Sequence, residues 1–100
     1  MTIEDWRVEI DKIDGELLRL LNARAELAVR VGESKRVAGR SVCDRDRERE
    51  VVARARRDNR GPLDDEAVAR LFRAVIRESR LLQTRAAEAG ATPAAGEAAR

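Results

Sequence analysis

Along the first third of the chain, apolar side chains recur at Ile3, Trp6, Ile10, Ile13, Leu17, Leu20, Leu27 and Val31. The steps are three and four residues, the spacing of one stripe on an α-helix. Thr2 is placed to cap that helix, with Asp5 three residues later in a capping-box arrangement and Glu4 in the electropositive first turn. No proline interrupts the pattern, and no glycine stands at a plausible stop before Gly39. Gly15 and Gly32 fall inside it, each at a cost of about 1 kcal/mol relative to alanine. The pattern predicts one helix over about residues 3–37, roughly 50 Å long. That length exceeds the usual helix of a 100-residue globule and implies a partner along it.

After a short loop over residues 38–43, Asp44 is a good N-cap for a second helix, Arg45 to Asp58, whose apolar positions are Val51, Val52 and Ala55. The charged run Arg47-Glu48-Arg49-Glu50 reads equally well as a solvated helix start. Asn59-Arg60-Gly61-Pro62 is a firm stop. Asp64 caps a third helix whose stripe is Val68, Leu71, Phe72, Val75, Ile76, Ser79, Leu82 and Gln83. From about Ala86 the composition turns to Ala, Gly, Glu, Thr and Pro, which predicts a disordered tail over residues 87–100 behind a helical domain of residues 1–86. There is no strand pattern and no internal repeat. The expected fold is all-α, with one long, one short and one medium helix per chain.

Two departures from the apolar rhythm carry the functional signal. Arg24 occupies the beat between Leu20 and Leu27, and Lys35, about three turns on, projects from nearly the same face. A cation on a core seam is costly unless an anion meets it. Arg24 is either half of a buried ion pair, a snorkelling side chain, or part of a helix built to hold a negatively charged ligand. On the third helix the seam gains Ser79 and Gln83, one turn apart. A lone seam serine usually bonds to its own backbone. Two polar residues there, in a chain with a misplaced Arg and Lys elsewhere, suggest the lining of one polar pocket. Gly32, beside the cationic face, is either room for that pocket or a tolerated glycine.

Composition narrows the chemistry. Hydrophobic residues make up 43% and aromatics 2%, so the core is aliphatic. Basic and acidic residues number 21 and 19, and the interspersed net charge of +2 does not mark a nucleic-acid partner; an aromatic stacking platform is also missing. Nineteen of the basic residues are Arg, which favours two-pronged contacts to carboxylate or phosphate, although an Arg- and Ala-rich composition supplies the same count. With no His, imidazole-based acid/base and metal schemes are excluded, and a lone Cys43 makes a thiolate metal site implausible. No apolar run approaches the roughly 20 residues of a membrane span, and no signal segment opens the chain. A cytoplasmic protein without metal or cofactor is expected.

The candidate pocket therefore holds Arg24, Lys35, Ser79 and Gln83, with Arg7, Arg47 and Glu48 as further candidates. It contains no nucleophile–base pair. It is equipped to grip a small dianion and stabilise charge that develops on it, which suits a reaction proceeding within the substrate.

At this point a resemblance becomes specific. The run Trp6-Arg7-Val8-Glu9-Ile10-Asp11-Lys12-Ile13-Asp14, then Leu17-Leu18, Leu20-Leu21, Arg24, Leu27-Ala28, Val31-Gly32 and Lys35, resembles the first helix of the all-helical chorismate mutases. Val42-Cys43-Asp44-Arg45-Asp46-Arg47-Glu48 resembles the start of that family's second helix, and Gly61-Pro62-Leu63, Leu71-Phe72, Ile76, Glu78-Ser79 and Gln83 its third. The likeness spans about residues 5–85; at the edges a short tail is expected, with no dehydratase or dehydrogenase domain following.

The resemblance implies rearrangement of chorismate to prephenate, a step of aromatic amino acid biosynthesis, with no cofactor. It also implies that Arg24 and Arg7 hold the carboxylates. Lys35 then reaches the ether oxygen and a carboxylate, and Gln83 donates to the ether oxygen. Ser79 assists at the ring carboxylate, Glu48 takes the ring hydroxyl, Asp44 contributes through its backbone, and Arg47 strengthens the positive field. Mutases for 4-amino-4-deoxychorismate and isochorismate-pyruvate lyases share the fold and charge pattern, so those substrates stay open. A non-enzymatic helical module, its polar seam residues setting register, is the reading of another class. Geometry adds one point: Arg7 and Lys35 are 28 residues apart, roughly 42 Å along a straight helix. If both serve one site, Arg7 comes from a second subunit, which makes the protein an intertwined homodimer with shared sites.

Overall fold

The computed structural model describes residues 1–91, which form three helices in the order α1 (Ile3–Val37), α2 (Arg45–Asp58) and α3 (Asp65–Ala91). Each start is built by the residue the sequence puts there. Thr2 and Asp5 close a capping box, with the Asp5 N–H donating to Thr2 Oγ1 at 3.1 Å and the Thr2 N–H to Asp5 Oδ2 at 2.8 Å. Asp44 Oδ1 accepts from the Arg47 N–H at 2.9 Å, and Asp64 Oδ1 from the Ala67 N–H at 2.7 Å. α1 ends where Gly39 takes a φ of 71°, a left-handed conformation that costs other residues a steric clash. Between α2 and α3 the Asn59 side chain ties the turn. Its Nδ2 donates to the Leu63 carbonyl and its Oδ1 accepts from Gly61, itself at φ 73°.

α2 and α3 pack on each other around Val52, Ala69 and Ile76, with Val51 against that cluster. Ala69 is the one fully enclosed member, because a methyl group lets the two helices approach closely. Two members of the α3 stripe do not join this core: Leu71 stays 55% exposed and Phe72 37%. α1 docks on α3 through its C-terminal half, where Gly32 is buried. Its N-terminal half touches nothing that covers it, and every residue from 1 to 23 is exposed. The particle measures 58 × 33 × 14 Å, long and thin.

The expected tail over 87–100 needs correction at its start. α3 runs on to Ala91, because Ala86, Ala87, Glu88 and Ala89 are strong helix formers that need no apolar stripe to continue a helix already nucleated and packed upstream. The remainder of that expected tail, 92–100, lies outside the described residues. Among the described residues, no strand occurs and no helix is long and apolar enough to cross a membrane.

Candidate active site

The odd residues of the two seams meet. Where the C-terminal half of α1 lies against α3 and near the start of α2, they line an open cavity of about 270 Å³. α1 supplies Arg24 and Lys35, with Leu27, Ala28 and Val31 as apolar wall. The loop and first turns of α2 supply Asp44, Arg47 and Glu48, and α3 supplies Ser79, Arg80 and Gln83. That volume sits just under the roughly 300 Å³ at which drug-sized pockets begin, a size for a small metabolite.

Arg24 Nη1 donates to Ser79 Oγ at 3.1 Å across the α1–α3 contact. Among the described residues no carboxylate pairs with Arg24, so the buried-ion-pair reading is not what the fold built. A neutral hydroxyl orients the guanidinium and leaves its charge uncompensated at the cavity wall. Lys35, only 17% exposed, stands 3.6 Å from Asp44 Oδ2. The Arg47 N–H, and after it the Lys35 charge, holds the Asp44 carboxyl below the ordinary carboxylate range. Asp44 thus caps α2 and steadies Lys35 at the same time. Gln83 Nε2 donates to the Ala28 carbonyl at 2.7 Å, which fixes the amide at the α1–α3 junction. An amide nitrogen has two N–H groups, so a second donor remains for a ligand.

Gly32 is room, not tolerance: a Cβ there would stand 3.1 Å from Gln83 Cγ and 3.3 Å from Cδ. One contact at the cavity escaped the sequence. Arg80 lines the cavity, and its Nε lies 3.1 Å from Glu48 Oε2, tying α3 to α2. It sits between Ser79 and Gln83 in a helix where arginines are common, so nothing in spacing or composition singled it out. Arg47 lines the cavity but is exposed and pairs with Glu50 Oε1 at 2.5 Å. Arg7 is not brought to this cavity within one chain; it lies on the uncovered half of α1, 3.3 Å from Glu4. Among the described residues no group of three or more acidic or Cys side chains is arranged to hold a metal.

These features define a small all-helical protein with a polar, cation-rich pocket and no nucleophile–base pair. The sequence pattern of chorismate mutase type II matches residues 6–84, and the chain belongs to that family of isomerases. It is 50% identical over 72 residues to the bifunctional chorismate mutase/prephenate dehydratase of Neisseria gonorrhoeae, covering 72% of this chain and 19% of that protein. The counterpart from Aquifex aeolicus is 41% identical over 78 residues, covering 74% and 22%. The chain thus spans about a fifth of the length of the curated relatives it matches. In structure it is similar to the chorismate mutase of Thermus thermophilus in its form II, with a TM-score of 0.81 at 34% identity over 83% of this chain and 94% of that one. Form I gives 0.76 at 34% identity over 77% and 96%.

Proposed function

We propose that this chain rearranges chorismate to prephenate in the cavity between α1, α2 and α3, with residues 1–86 as the catalytic unit and the cytoplasm as its location. The observation that carries the proposal is the uncompensated Arg24, oriented by Ser79 beside a sheltered Lys35 and a fixed Gln83 amide. In a pericyclic step the ether C–O bond breaks as a C–C bond forms, with no covalent intermediate and no proton transfer required. Catalysis then reduces to two tasks: holding the folded conformer and stabilising the negative charge that grows on the ether oxygen. Arg24 and Ser79 take a carboxylate. Lys35 and the free N–H of Gln83 meet the ether oxygen, and Arg47 adds to the positive field. Asp44 keeps the α2 start and Lys35 in place and contributes its backbone. Glu48 accepts the ring hydroxyl.

The second carboxylate needs a further cation, and we assign it to Arg7 of the partner subunit in an intertwined homodimer. Two features support this assembly. Ile10, Ile13, Leu17 and Leu20 are each half or more exposed on α1, and the enclosed core of one chain is three small or medium aliphatics. A chain of this size that buries so little needs a partner to be stable. An antiparallel second copy covers the stripe and carries its Arg7 to the far end of this α1.

Chorismate is preferred over its 4-amino analogue because Arg80 already neutralises Glu48. A compensated carboxylate suits a hydroxyl donor better than an ammonium, which would compete with Arg80. The test is to offer chorismate, 4-amino-4-deoxychorismate and isochorismate separately to the purified protein and identify the products. Prephenate from chorismate, faster than any product from the other two, is expected. No turnover of any of them leaves the helical interaction module as the reading.

A further inference from the structure

A second cavity, of about 640 Å³, runs between α2 and α3 and takes no wall from α1. Its walls carry Arg45, Arg49 and Arg56 from α2 and Arg73, Arg77 and Arg80 from α3, against a single acid, Glu48. Some of this charge is matched from outside the groove. Arg49 pairs with Asp46, Arg56 with Glu66 at 3.0 Å, and Arg77 with Glu78 at 4.0 Å. Arg45 and Arg73 have no carboxylate partner among the described residues. Arg56 Nε and Arg80 Nε are withdrawn from water yet make no hydrogen bond; the Arg80 N–H is out of line with the nearby Glu48 oxygen.

A solvated arginine face normally alternates with acids on its own helix. Here four of the six arginines have an acidic neighbour, and Arg45 and Arg73 line the same concave strip without one. Like charges gathered in a cleft repel one another and concentrate positive potential there, a cost that an anion relieves. From Arg45 to Arg56 the strip extends roughly 16 Å along α2, longer than a single carboxylate. Planar guanidinium forks match phosphate and carboxylate oxygens two at a time. We infer that the α2–α3 groove binds a small multivalent anion, of the phosphate or polycarboxylate class, as a site separate from the catalytic cavity.

The two cavities share a wall. Arg80 and Glu48 line both, and Arg80 is the cation beside Glu48. An anion in the groove competes for Arg80 and loosens Glu48, so groove occupancy raises KM for the substrate. This coupling rests on the proposed reaction; the binding site does not.

The test is calorimetric titration of the full chain with inorganic pyrophosphate and, separately, with citrate, at low ionic strength. The expected result is saturable binding that survives Arg24→Ala and weakens at least tenfold in the double variant Arg45→Ala/Arg73→Ala. Both substituted groove residues are exposed and lack an ionic partner, so that variant keeps its helical circular dichroism. The stronger of the two anions identifies phosphate or carboxylate as the preferred chemistry. Binding lost with Arg24→Ala but kept in the double variant would put the anion in the catalytic cavity and overturn the inference, as would no saturable binding of either anion. In kinetics, pyrophosphate is expected to raise KM for wild type more than for the double variant. Absence of any chorismate turnover counts against the reaction alone, and the titration still judges the groove.

Discussion

The two halves of α1 carry the same three-and-four spacing of apolar residues, but only one of them docks on the rest of the chain. From Arg24 to Val37 the helix packs on α3, with Gly32 buried and Lys35 sheltered. From Met1 to Ala23 every residue is exposed, including Trp6, Ile10, Ile13, Leu17 and Leu20. The polar exceptions fall in the packed half, where Arg24 and Lys35 face Ser79 and Asp44. An amphipathic stripe states only that something apolar must cover it. In the packed half α3 covers Gly32 and leaves a pocket beside Leu27 and Val31, which stay 63% and 51% exposed; in the bare half the described residues of the same chain supply no cover. Uninterrupted apolar spacing thus marks the candidate subunit interface, and interrupted spacing marks the candidate site.

The largest expected effect tests the bare half. Leu17→Asp puts a charge at the middle of the stripe the second copy is proposed to cover, where burying it unpaired costs several kcal/mol. Sedimentation should show loss of the dimer, and circular dichroism a loss of helix, since among the described residues the only buried hydrophobics of one chain are Val52, Ala69 and Ile76. A Leu17→Asp protein that keeps wild-type mass and helicity would show that the stripe is simply solvated.

Next in size is the interruption in the packed half. Arg24→Ala removes a charge that no carboxylate balances, so the fold should gain or lose little while turnover falls. Deleting one preorganised donor to a developing charge typically costs on the order of 10²–10³ in rate. Unchanged turnover per folded molecule would make Arg24 a structural residue.

The comparison is sharpened by joining the halves. Arg7→Ala and Lys35→Ala should each be inactive, since one loses the bare half's contribution and the other the packed half's. If each site draws Arg7 from one chain and Lys35 from the other, a mixed dimer has one site with both defects and one with neither. Refolding the two variants together is expected to recover activity, up to half per mixed dimer. Demonstrated heterodimers without any recovery would place Arg7 outside the site.

Most of the fold could be read from local signals. The caps at Thr2, Asp44 and Asp64 and the stop at Gly61 lie within a few residues of what they control, so helix boundaries follow from short-range chemistry. The pocket was legible because Arg24, Lys35, Ser79 and Gln83 violate a pattern, and a violation is visible without the partner helix. What escaped depended on long-range contact. Ala69 looks like any alanine until α2 approaches it, and Arg80 is one arginine of many until Glu48 stands beside it. The helical extension to Ala91 is invisible to a reading that equates lack of an apolar period with lack of structure, whereas helix propensity alone carries a packed helix further.

The smallest expected effect comes from Gly32, whose missing side chain is the closest link between the packed half of α1 and the site. Gly32→Ala offers the helix up to about 1 kcal/mol of propensity. The new Cβ would sit 3.1 Å from Gln83 Cγ, tighter than ordinary contact, so Gln83 must move. Its amide is held by a 2.7 Å bond to the Ala28 carbonyl, and moving it weakens that bond or turns the free N–H away from the ether oxygen. Losing about one hydrogen bond's worth of stabilisation, about 1 kcal/mol, corresponds to a drop in kcat of roughly five- to tenfold. KM should stay near wild type, because the carboxylate contacts of Arg24 are untouched. The melting temperature should hold or rise, which separates this loss from instability. A double-mutant cycle decides the route: in a Gln83→Ala background, which clears the crowded atoms, Gly32→Ala should cost nothing further. If it costs the same in both backgrounds, Gly32 does not act through Gln83, and its presence in the packed half is a matter of helix packing alone.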